Sequence, residues 1–184
     1  MMRRKHLSKI LYAASAALVL AACADRPTEP NATSSSGNGA PGITEPSFTA
    51  AVGFASILNG RGNLGTFHIK SKANGYDVQL KSKDNTDIAV VDIVVVPGGH
   101  SGWHYHPGPV LVVVKTGAIT FYHGNDPTCT GTRHPAGTAF VEQDGDVGMA
   151  RNEEAGETTV VATFFVPAGG PTRIDAPAPG NCAF

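Results

Sequence analysis

A chain of 184 residues with 14 Lys+Arg against 15 Asp+Glu carries a net charge of −1, and only 16% of its residues are charged. That balance excludes the concentrated Lys and Arg face by which proteins hold nucleic acid. Three cysteines are present, one near the start of the chain and two in its last third.

The first residues read as an export signal. Arg3, Arg4, Lys5 and Lys9 make a positive start, and residues 10–22 follow as an apolar, alanine-rich run too short to span a bilayer as a stable helix. The run ends in Leu20-Ala21-Ala22-Cys23, which resembles the bacterial lipobox. The resemblance implies a signal peptide over 1–22, cleavage after Ala22 and lipidation of Cys23. Two or three acyl chains make a durable membrane anchor, whereas one binds only marginally. Removing residues 1–22 takes four basic residues and no acidic one, so the net charge falls from −1 to −5. Ala24 after the lipid cysteine implies the outer membrane if the cell is diderm, and the cell envelope in any case.

Residues 23–47 contain Pro27, Pro30, Pro41 and Pro46, the run Ser34-Ser35-Ser36, and one large aliphatic residue, Ile43. Such a segment cannot bury enough apolar surface to offset its ordering entropy, so it is expected to be a flexible tether. One domain is expected over 48–184. With Cys23 set aside, Cys129 and Cys182 are an even pair in an oxidising compartment and are expected to form a disulfide between a loop and the C-terminal tail.

The domain reads as all-β. Residues 48–58 are ambiguous between a short helix and a strand, and 66–69 and 76–80 are weak strand candidates. The β-branched run 87–97 is the strongest, followed by 110–115, 118–122, 138–142, 146–152 and 158–166. Turn signals separate them, among them Asn74-Gly75, Asp84-Asn85, the segment 123–127 and Asp144-Gly145. Many short strands at this spacing predict a sandwich or barrel. Between two of them lies Trp103-His104-Tyr105-His106-Pro107. Alternation along an extended segment turns His104 and His106 to one face, and Trp103 and Tyr105 to the other.

Gly98, five further residues, His104-x-His106 and then Gly117 resemble the first motif of the cupin family, with Gly137, Gly145 and Asn152 in register with its second. The resemblance covers residues 87–167 and implies a single jelly-roll β-barrel. It also implies a divalent metal held by two His and a Glu from the first motif and a His from the second. Here the Glu position is Val110 and the second His position is Gly148, and Gln143 stands where the second motif has Pro. Neither Val110 nor Gly148 can ligate, and two imidazoles alone coordinate a divalent ion poorly, so the metal site is expected to be degenerate. A third ligand could come from His100, His123, His134 or Glu142. Trp103, Tyr105 and Arg151 are candidates for the cavity wall beside His104 and His106, Arg151 as a fork for a carboxylate.

The leading functional expectation is a lipid-anchored barrel that binds a small molecule, with little or no catalysis. A metal-dependent enzyme, oxygenase- or isomerase-like, is the alternative, and a non-catalytic envelope interaction protein the third. A homodimer is an open outcome of assembly. No nucleophile elbow, phosphate loop, Cys-x-x-Cys or paired carboxylates appear, which leaves hydrolase, nucleotide and zinc-ribbon readings without support.

Overall fold

A computed structural model describes residues 48–184; the expected signal peptide, the expected lipid site Cys23 and the expected tether lie outside the described residues. Ten strands follow in chain order: β1 Val52–Ala73, β2 Tyr76–His100, β3 His104–Tyr105, β4 Val110–Thr116, β5 Ala118–His123, β6 Thr132–Pro135, β7 Ala139–Glu142, β8 Gly148–Arg151, β9 Thr158–Pro167 and β10 Ile174–Asp175. Among the described residues there is no helix.

Period-2 burial builds the interior. Ala89, Val91, Ile93 and Val95 of β2, Val110, Val112 and Val114 of β4, and Val160, Ala162, Phe164 and Val166 of β9 are all buried, while their neighbours in sequence are more exposed. Each buried valine or isoleucine contributes roughly 1.5–3 kcal/mol relative to an exposed one. The ten strands form one continuous sheet in the order β10–β3–β8–β2–β9–β4–β7, with β1 added on β2 and the pair β5–β6 on β8, every pairing antiparallel. β2 joins its two halves where His100 pairs with Arg151 of β8. Strands adjacent in space but distant in sequence, such as β2–β9–β4, give the nearly closed jelly-roll barrel.

The structure joins what the sequence separates. The weak candidates at 66–69 and 76–80 are the two arms of one long ribbon, β1 paired with β2 from Val52 to Tyr76 and turned by Asn74-Gly75, both with positive φ. That is the backbone a two-residue hairpin loop needs. Gly60 and Gly65 adjoin register shifts, so β1 bulges there instead of ending. The ambiguous segment 48–58 is strand from Val52 onward, preceded by a lone bridge between Phe48 and Pro177. β6 is a strand that residues 132–135 do not announce: Thr-Arg-His-Pro has no apolar alternation and is recruited by pairing with β5.

The Cys129–Cys182 disulfide is formed, with Cα atoms 5.2 Å apart. Asn181 reinforces it by donating to the carbonyls of His123 (3.0 Å) and Asp126 (2.6 Å). Upstream, β10 pairs with β3, which lays the segment before the tail directly over the His-x-His stretch.

Candidate functional site

His104 and His106 face the barrel interior, as strand alternation requires. Their rings meet edge to face with centroids 4.8 Å apart, and each residue is about 95% buried. Both Nδ1 atoms are committed to backbone carbonyls, His104 donating to Gly102 at 2.9 Å and His106 to Thr172 at 2.5 Å. That leaves both Nε2 atoms for the cavity. Burial, and secondarily the positive charge of Arg173, lowers the pKa of His104 to about 4, so this imidazole is neutral and able to ligate at physiological pH.

The third donor is Glu142. The carboxylate that the first-motif position lacks comes from β7, where Glu142 stands directly across the ladder from Val110 of β4. Directly opposed residues share a face of the sheet, so a carboxylate on β7 reaches the space that Val110 leaves. Ligand atoms of His104, His106 and Glu142 all lie within 4.8 Å of one another, and Glu142 Oε2 is 3.0 Å from His106 Nε2. At that distance the imidazole and the carboxylate can share a proton or a metal ion. Two imidazoles and one carboxylate are a donor set that fits a divalent metal of the Mn, Fe, Ni or Zn type. The group could hold such an ion.

The three donors open onto a cavity of about 330 Å³. Its wall is mainly apolar, with Val91, Val112, Ile119, Phe140 and Phe164 among the lining residues, and two cationic side chains, Arg61 and Arg173, also face it. Ser101 supports the site from below, receiving the Ala150 N–H at 3.0 Å and donating to Gly102 O at 2.9 Å.

The other sequence candidates lie elsewhere. His100 Nδ1 receives the Gly102 N–H at 3.2 Å, His134 stacks on Phe140 at 4.1 Å, and exposed His123 packs edge-on against Phe121. None of the three joins the donor cluster. Trp103, Tyr105 and Arg151 are not among the residues lining the cavity. Alternation is the reason: His104 and Ala150 point inward, so Trp103, Tyr105 and Arg151 point away. Trp103 is buried on the far side, where its carbonyl accepts from Ala176 N at 3.0 Å, and the Arg151 guanidinium lies 4.0 Å from the Phe184 ring centre. At Gly148, the position of the missing second-motif His, an added Cβ would run into the Phe121 ring. Phe121 thus occupies the room a fourth ligand would need. Thr172 and Arg173 escaped sequence reasoning because they sit in an irregular proline-flanked segment with no motif, brought to the site only by the β10–β3 pairing.

No family model matches the sequence, and no curated protein does either. Among solved structures the chain is similar to an oxalate oxidase (22% identity, 44% of this chain and 42% of that one, TM-score 0.39). It is also similar to a double-stranded β-helix protein from Klebsiella pneumoniae (24%, 59% and 89%, 0.41) and to a cupin domain from Bordetella pertussis (19%, 55% and 93%, 0.38). The chain spans less than half the length of the oxalate oxidase. The strand order of the chain itself defines its class, an all-β protein with a single jelly-roll barrel.

Proposed function

We propose that this protein binds a small molecule in its barrel cavity over a divalent metal ion held by His104, His106 and Glu142. The observation that carries the reading is the convergence of the three donors, whose ligand atoms all lie within 4.8 Å of one another at the wall of a mainly apolar cavity. When bound, the ion would supply Lewis-acid polarisation of an oxygen-bearing ligand, with three protein donors leaving further positions open. The chain's own residues do the rest. Gly102 and Thr172 carbonyls orient the two imidazoles, and the valine and phenylalanine walls exclude water from the ligand. Export and anchoring through Cys23 belong to the same proposal, supported by the basic, apolar and lipobox order of residues 1–23.

The test is metal titration of chelator-treated protein by calorimetry and elemental analysis. One equivalent of Mn, Fe(II), Ni or Zn is expected, with a raised unfolding midpoint. Glu142→Gln and the His104→Ala/His106→Ala pair are each expected to lose it. If none of these ions binds stoichiometrically or shifts the midpoint, the metal reading is wrong. For the anchor, Cys23→Ser is expected to move the protein from the membrane to the soluble fraction; a variant that stays membrane-bound refutes it.

A further inference from the structure

One charged side chain of the cavity wall, Arg173, takes no part in holding the three donors. Its backbone is pinned close to them, since the preceding residue, Thr172, accepts the His106 Nδ1–H. Its side chain shares the cavity lining with His104, His106 and Glu142. Arg173 Nε bonds Asp175 Oδ1 at 2.7 Å, while its two terminal nitrogens have no hydrogen-bond partner among the described residues. A guanidinium with one edge anchored and the other free presents a fixed fork, suited to a planar carboxylate.

The charges around it favour an anion. Arg61, the other cation of the wall, is matched by Asp87, whose side chain is only 11% exposed, at 2.7 Å. The partner of Arg173, Asp175, has a side chain 63% exposed, where water screens it. A divalent ion with a single Glu142 carboxylate is not neutralised, and Arg173 adds to the excess. Apart from Ser56, Ser101 and Thr172, the rest of the lining is apolar, with Val91, Ile93, Val112, Ile119, Phe140 and Phe164 among it. The ligand that matches is therefore acidic at one end and apolar over the remainder.

We infer that Arg173 is the anion-recognising residue of this cavity and that the ligand is a small carboxylate with an apolar body. This rests on the proposed reading of the cavity as a metal-assisted ligand site, and the two can fail separately. Calorimetry on metal-loaded and metal-free protein would compare butyrate, octanoate and benzoate with the neutral isostere benzamide. At least one acid is expected to bind the loaded protein more tightly than benzamide. Arg173→Gln should weaken that acid by about tenfold or more, as losing a hydrogen bond to a charged group does. The same variant should bind the metal as well as or better than the wild type, because a nearby positive charge is gone. Arg173→Lys, which keeps the charge but not the fork, should lie between. Acids that bind no better than benzamide, or that bind Arg173→Gln and wild type alike, overturn the inference. A wild type that takes up no metal but still selects acids through Arg173 refutes the metal reading and leaves the inference standing.

Discussion

Val110 and Glu142 stand opposite each other on β4 and β7, both among the cavity-lining residues. Which of the two carries the carboxylate matters less to a metal than that one of them does. Glu142→Val should therefore lose the ion, and Val110→Glu/Glu142→Val should regain stoichiometric binding, read by calorimetry. Without metal, the exchanged protein should be less stable than wild type, because Val110 is 1% exposed and a carboxylate there is costly to bury. No recovery of binding would mean that the β7 position is needed for more than its carboxylate. The same pair shows how far a residue can be read in sequence. His104-x-His106 announces itself by its spacing, whereas Glu142 is one of several candidates until the β4–β7 register selects it.

The β1–β2 ribbon enters the barrel where its strands begin to pair with the rest of the sheet, and Asp87 clasps that junction. Its carboxylate accepts from Arg61 Nε (2.7 Å), Asn63 Nδ2 (2.9 Å) and the Gly169 backbone N–H (3.0 Å), joining β1, β2 and the turn after β9. The Gly169 bond first, then Asn63 and Arg61, lower its pKa from 3.8 to about 2. A depressed carboxylate stabilises the fold above its unfolded pKa, and that contribution is lost as pH falls through the folded one. Wild type should thus be more stable than Asp87→Asn at pH 5, and the gap should close between about pH 4 and 2, as thermal melts along that series would show. A gap that persists at pH 2 would show that the carboxylate charge is not what holds the junction. β2, β4 and β9 were legible from their β-branched runs, because a strand buried on one face must be apolar at every second position. The outer ribbon gives only fragmentary strand signals in the sequence, since its residues are largely exposed and carry no such alternation.

At the scale of the molecule, the C-terminal segment acts as a strap. It supplies Thr172 to His106, Arg173 to the cavity and β10 to β3, and then ends in the Cys129–Cys182 disulfide. A sequence separation of 53 residues gives a stabilisation of about 4 kcal/mol on the chain-entropy model. Cys129→Ser/Cys182→Ser should lower the unfolding free energy by about 2–4 kcal/mol in denaturant titration. An unchanged free energy would mean that the tail is held by its backbone pairings alone.

The sequence by itself determined the all-β class, the common face of His104 and His106, and the pairing of Cys129 with Cys182, which follow from local periodicity and from counting. It pointed to the barrel only as what the resemblance to the cupin motifs implies. The tertiary structure alone decided that Glu142 completes the donor set, that Phe121 closes the Gly148 position, and that Thr172 and Arg173 reach the cavity. The physical reason is that a ligand set depends on which strands are neighbours and in what register. Antiparallel pairing between residues 32 apart, or between β3 and a strand near the C-terminus, leaves no periodic trace in the chain.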